Sequence, residues 1–212
     1  GGAGTTATVD WSTAVPAANT FDNKAAKDTA GNLYFTAVTG GTPVLHRVNS
    51  DGSIPGGFTP PTIAGTDYST EPLVIGNSVY VGAGDNFVLP GRKYGIYRFD
   101  KDTGALTGSL TDPRNIAGYS SIKGLKANAA GTRLYASDDF FNGGFRAGVT
   151  SIDITNPGAL SLDTGFAGNG MQNFGGRRED DVAPAIDGAG NLWSVYSNGG
   201  QTRLRAINST NG

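Results

Sequence analysis

One local pattern returns four times along this chain: a glycine turn followed by an apolar or aromatic strand. It reads Gly31-Asn32-Leu33-Tyr34-Phe35, Gly76-Asn77-Ser78-Val79-Tyr80, Gly131-Thr132-Arg133-Leu134-Tyr135 and Gly190-Asn191-Leu192-Trp193-Ser194. A unit that returns at such intervals stacks against its own copies, because one copy cannot bury its apolar faces alone.

A second strand follows each copy: 44–48, 95–99, 149–154 and 202–207. Most of these alternate apolar and polar residues, which is the period of a half-buried strand. Each ends in a turn rich in Asn, Asp, Pro and Gly, such as Asn49-Ser50-Asp51-Gly52 and Asp100-Lys101-Asp102-Thr103-Gly104. Those residues supply positive φ and side-chain bonds to the backbone. A further apolar stretch precedes each glycine turn, as in Pro72-Leu73-Val74-Ile75, and another short strand follows each later turn, as in Ala105–Leu110. Four strands per repeat predict an all-β fold, a β-propeller of four four-stranded blades. The whole chain, 1–212, reads as one domain, with units at about 21–58, 68–110, 121–166 and 181–212. The last unit lacks its outer strand, and the chain has an orphan strand at Ala7-Thr8-Val9-Asp10-Trp11. Pairing the two would close the ring and remove its edges. The alternative is a part of a larger propeller.

Composition supports this reading. Glycine supplies 34 of the 212 residues, which suits tight turns and would weaken helices. A net charge of −2 with no basic stripe excludes an evident nucleic-acid partner. No apolar run is long enough to predict a membrane-inserted helix. There is no cysteine, so neither a disulfide nor a thiol nucleophile is available.

The third and fourth units carry a denser pattern. Leu160-Ser161-Leu162-Asp163-Thr164-Gly165-Phe166 leads to Asn173-Phe174-Gly175-Gly176-Arg177-Arg178-Glu179-Asp180-Asp181, and then to Asp187-Gly188-Ala189-Gly190-Asn191-Leu192. This resembles the bacterial delta-60 repeat. The second unit, with its Asp100…Thr103-Gly104 turn, resembles the quinoprotein-like propeller repeat. The resemblance implies a propeller in an exported bacterial protein: extracellular, periplasmic or at the cell surface. It transfers no catalytic residue. The Trp of quinoprotein-type outer strands is missing from the middle units, which argues against a quinone.

Strand order sorts the loops onto two ends. One end gathers the long, varied segments 83–94, 112–119, 138–147 and 168–181, and binding residues concentrate on such loops. There Asp85, Asn86, Phe87 and Arg92 form one acid–aromatic–cation set, and Asp138, Asp139, Phe140, Phe141 and Arg146 form its counterpart. Exposed aromatics beside carboxylates and arginines suit a peptide or a sugar. Alternatively, Phe87, Phe140 and Phe141 pack the loops down. Arg177, Glu179 and Asp181 open the fourth unit, and with Asp22, Lys24, Glu71 and Lys123 they are placed around a central channel. No calcium loop of regular spacing is present, and no cofactor is expected. The single histidine, His46, sits in a strand and reads as structural.

These residues predict a non-catalytic binding or interaction module. Its partner is expected to be a surface protein, a glycan or another copy of the chain. One alternative is a carbohydrate hydrolase or lyase using acids such as Asp138 and Glu179. Another is a structural component of a surface layer or filament.

Overall fold

The computed structural model describes residues 12–14, 20–21, 25–84, 94–114, 120–141, 143–156, 158–177 and 182–212. Among the described residues every regular element is a strand. The first sheet contains β1 (Thr20–Phe21), β2 (Ala26–Lys27), β3 (Leu33–Thr39) and β4 (Thr42–Val48). β1 and β2 are two pieces of one inner strand, both paired with β3. The second contains β5 (Tyr68–Ser69), β6 (Leu73–Ile75), β7 (Ser78–Gly84), β8 (Gly95–Asp100) and β9 (Leu106–Thr111). The third contains β10 (Ser120–Ala127), β11 (Arg133–Phe141), β12 (Phe145–Asp153), β13 (Ser161–Leu162) and β14 (Met171–Asn173). The fourth contains β15 (Ala185–Ile186), β16 (Asn191–Asn198) and β17 (Gln201–Asn208). All pairings are antiparallel, in four separate sheets.

The sheets stack in chain order. Tyr34, Leu45, Phe58 and Ile63 of the first unit bury against Val79, Val81, Tyr97 and Phe99 of the second. The opposite face of the second sheet, with Tyr80 and Ile96, packs on Ile122, Leu134, Ile152 and Ile154 of the third. Tyr135, Val149, Phe166 and Phe174 then meet Leu192 and Ile207 of the fourth. Each middle sheet therefore buries side chains on both faces.

Polar staples join the sheets at one end. Tyr34 Oη and Arg47 Nη1 donate to the Lys101 carbonyl at 3.2 and 3.1 Å, and Arg47 pairs with Asp102 at 2.8 Å. The buried Arg98 donates from Nη1 to the Asn156 carbonyl at 2.9 Å. Tyr135 Oη donates to the Ser209 carbonyl at 2.9 Å. Every acceptor lies in the turn between the third and fourth strands of the next unit, or at the equivalent place after β17.

The turns before β3 and β16 are built alike. Asp28 accepts from the amides of Ala30 and Asn32 and from Asn32 Nδ2, and it shares the single Tyr34 Oη proton with the Lys101 carbonyl. Asp187 accepts from Ala189, Asn191 and Asn191 Nδ2, and from Trp193 Nε1 at 2.9 Å. One carboxylate thereby satisfies a whole turn. Burial pushes Asp28 up, but the bonds from Asn32, Tyr34 and Ala30 outweigh it and hold it below the usual carboxylate range. The bonds from Asn191 and Trp193 hold Asp187 down to about 2.

Some expectations shift. The stretch 138–147 is not a loop: Asp138, Asp139, Phe140 and Phe141 continue β11, and Phe145 and Arg146 begin β12. The alternation persists there because Phe141 and Phe145 face each other across a short tip that Gly143 turns with φ of 66°. Part of 168–181 is also strand, since β14 gives the third sheet a second outer segment. Ring closure by Ala7–Trp11 falls on residues outside the described ones. Among the described residues no strand lies beyond β17, so the sheets are not seen to close.

Two measurements check this account. Ile96→Ala should cost about 2–5 kcal/mol in denaturant unfolding, whereas Leu106→Ala, on the exposed side of β9, should stay within about 0.5 kcal/mol. The second concerns acid. Asp187 titrates lower folded than unfolded, so its contribution is complete above about pH 4 and is lost as pH falls toward about 2. Asp187→Asn should melt lower at neutral pH and lose less than the parent over that window.

Candidate functional site

At the end of the sheets opposite the staples, the β11–β12 hairpin carries two layers of chemistry. The lower layer is buried. Arg114 follows the Asp112-Pro113 turn, and its backbone amide donates to Tyr94 Oη at 2.8 Å. Burial pushes the Tyr94 phenol well above its ordinary value, so it stays neutral. The Arg114 guanidinium grips Asp138 with two parallel bonds, Nε to Oδ2 at 2.7 Å and Nη2 to Oδ1 at 2.9 Å. Its remaining arm reaches Asn173 Oδ1 at 2.5 Å, and its Cζ lies 4.3 Å from the centre of the Phe140 ring. Thr150 Oγ1 adds a bond to Asp138 Oδ2 at 2.7 Å. Both side chains are almost wholly removed from solvent. Gly148 makes room for the pair, since a Cβ there would lie 2.4 Å from Arg114 Nη2. A two-pronged pair of this kind with its remaining polar atoms bonded withstands burial, and removing one partner strands a charge.

The upper layer is exposed. Phe141 and Phe145 lie opposite each other, 42% and 45% exposed, with ring centres 5.3 Å apart at 77°. This is an edge-to-face pair. The Arg177 guanidinium stands 4.4 Å from the centre of the Phe145 ring. Its Nε is 3.7 Å from the buried Asp139 carboxylate, and its backbone exchanges two 2.7 Å bonds with Ser197 of β16. Arg177 thus ties the hairpin to the fourth sheet while leaving half its side chain in solvent. Arg146, paired with Phe140, is exposed on the other face of the hairpin.

The residues singled out from the sequence therefore divide. Phe141 and Arg177 share one face of the exposed tip, and Arg146 is exposed on the other. Asp138, Asp139 and Phe140 are buried beneath it and hold Arg114 and Arg177 in place. Asp85, Asn86, Arg92, Glu179 and Asp181, with Asp22 and Lys24, lie outside the described residues. Glu71 is exposed, and Lys123 is buried with its ammonium 4.6 Å from the centre of the Tyr68 ring. His46 is buried and stacked on Phe35 at 5.5 Å, and burial lowers its pKa, so it remains neutral. Sequence reasoning missed Arg114, Asn173, Thr150 and Phe145. Phe145 had a usable signal, because a Gly-Gly turn places it opposite Phe141. Arg114 had none, since it lies 24 residues from Asp138. Among the described residues, no three His, Cys, Asp or Glu side chains gather as a metal ion would require.

Antiparallel sheets stacked face to face, joined end to end by their turns, define a β-propeller. Among solved structures the chain is similar to TolB from Acinetobacter baumannii, with a TM-score of 0.53 and 14% identity. That likeness covers 90% of this chain and 41% of the TolB chain, and it shows the fold alone. Two weaker likenesses carry no structural argument. A quinohemoprotein alcohol dehydrogenase from Pseudomonas putida HK5 gives a TM-score of 0.44 at 12% identity, over 83% of this chain and 33% of that one. BamB from Moraxella catarrhalis gives 0.28 at 10% identity, over 82% and 81%. No family model matches the chain. No curated protein matches it either.

Arg114→Ala should destabilise the protein by about 3–5 kcal/mol, because it leaves Asp138 buried without its cation. Adding Asp138→Asn should recover part of that loss. A double-mutant cycle in denaturant measures both.

Proposed function

We propose that this chain is an interaction module of an exported bacterial protein and that it holds a partner at the tip of the β11–β12 hairpin. One observation carries the reading: Phe141 and Phe145 are kept exposed as an edge-to-face pair, with Arg177 stacked against one of them. Aromatic and arginine side chains give much contact area for little lost freedom and dominate binding energy where they are held rigid. Here the rigidity comes from below, through the Arg114–Asp138 pair and the link from Arg177 to Asp139. The delta-60-like pattern supports an exported location, and the propeller fold suits a rigid platform for loops.

No observation favours the hydrolase or lyase reading. Both Asp138 oxygens are engaged by Arg114, and Thr150 engages one of them again, so that carboxylate serves as an internal counter-ion. A protein partner and a glycan partner both match a flat aromatic with a neighbouring cation.

The test immobilises the chain and challenges it with an envelope extract of the source bacterium and with a glycan array. A Phe141→Ala/Phe145→Ala double variant should lose about tenfold or more of the retained partner. Its melting temperature should stay within a few degrees of the parent's, because both rings face solvent. Undiminished binding by the variant, or no retention by the parent on either probe, would overturn the reading.

A further inference from the structure

The third strands of the four sheets share one register. Arg47, Arg98, Ser151 and Ala206 stand opposite the aromatics Tyr34, Tyr80, Tyr135 and Trp193. One residue earlier, on the opposite face, stand His46, Tyr97, Thr150 and Arg205. Two residues before those stand Val44, Gly95, Gly148 and Arg203. In the first three sheets these places are uncharged: His46, Tyr97, Thr150, Gly95 and Gly148 are buried, and Val44 is half-buried. The packing of those sheets is satisfied without a cation there. The fourth sheet puts two arginines in the same places, and both are exposed.

Along β17 the contact with the third sheet gives way to these charges. Ile207 is buried in that contact. The Arg205 guanidinium carbon lies 5.1 Å from the centre of the Phe174 ring, and Phe174 stacks in turn on Tyr196 at 5.2 Å. Tyr196 stands directly opposite Arg203, whose Nη2 donates to Gln201 Oε1 at 3.0 Å. Two guanidiniums thus line one face of β17 beside two stacked rings. Arg177 meets β16 at its other edge, through Ser197, so this strip and the hairpin tip belong to different edges of β16.

Neither arginine has a counter-ion among the described residues. The described carboxylates of the third and fourth units are engaged elsewhere: Asp138 by Arg114, Asp139 by Arg177, Asp163 by Arg133, and Asp153 and Asp187 by their own turns.

We propose that Arg203 and Arg205 bind the carboxylates of an extended acidic segment of a partner protein. A guanidinium presents a planar fork that meets a carboxylate with two parallel bonds. The contact with Phe174 restrains Arg205, and the Gln201 bond restrains Arg203, so less side-chain freedom is lost on binding. Spacing selects the ligand class. Residues two apart on a strand stand about 6.5–7 Å apart, and acids at alternate positions of an extended peptide repeat at the same interval. That match favours a peptide over an acidic glycan, whose carboxylates are spaced by sugar rings.

The test titrates the full chain into a short fluorescent peptide of alternating glutamate and serine and reads anisotropy at rising salt. The expected result is saturable binding that weakens as salt rises. It should fall about tenfold or more in Arg203→Gln/Arg205→Gln. Both side chains are exposed, so that variant should melt within a few degrees of the parent. Arg203→Lys/Arg205→Lys should recover only part of the affinity, since an ammonium lacks the fork. A peptide with as many glutamates, set at every third position, should bind several-fold more weakly, because successive acids then point to opposite sides. No binding, undiminished affinity in Arg203→Gln/Arg205→Gln, equal affinity for the third-position peptide, or tighter binding of polygalacturonate than of the alternating peptide would each overturn the proposal. None of these outcomes bears on partner capture by Phe141 and Phe145.

Discussion

Each middle sheet has two apolar faces, and in this chain each is covered by a neighbouring sheet. Leu45, Ile96 and Val149 show the consequence: each is fully buried, and each lies on the forward face of its own sheet against the rear face of the next. Stability is therefore shared between neighbours rather than held in a single central core. The same requirement sets the direction of stacking, because the tyrosine beside each of these residues must also find a partner for its hydroxyl. Tyr34 and Tyr135 find it in the carbonyls of the following unit, and Arg98 does the same work from the second sheet.

The two ends of the stack use polar groups differently. At the end with the staples, short side chains satisfy the turns locally, and Asp28 and Asp187 each close one with a single carboxylate. At the other end the hairpin is longer, and its charges are spent internally: Arg114 on Asp138, and Arg177 in part on Asp139. The outcome is a firm base under two exposed rings. Among the described residues, this end presents two exposed rings above the buried Arg114–Asp138 pair.

Much of this was legible in the residues. The four glycine turns marked the second strand of every sheet, and the Asp-x-x-Gly-Asn turns at 28–32 and 187–191 marked two of them in near-identical letters. Local signals of this kind survive because turn geometry depends on a few adjacent residues. The site was less legible. Asp138-Asp139-Phe140-Phe141 reads as a polar, aromatic loop, yet it is a strand whose alternate residues face a buried cation and the opposite side of the sheet. A run of acids looks solvated unless the distant cation that neutralises it is known.

The sequence by itself determined the all-β class, the order of the strands and the chemistry of the turns, because these follow from alternation and from contacts a few residues long. Tertiary structure alone decided which acids are buried and which rings remain exposed. Arg114 reaches Asp138 across 24 residues, and Arg177 reaches Phe145 from a neighbouring sheet. Those pairings depend on how one sheet seats upon the next, which no local pattern records.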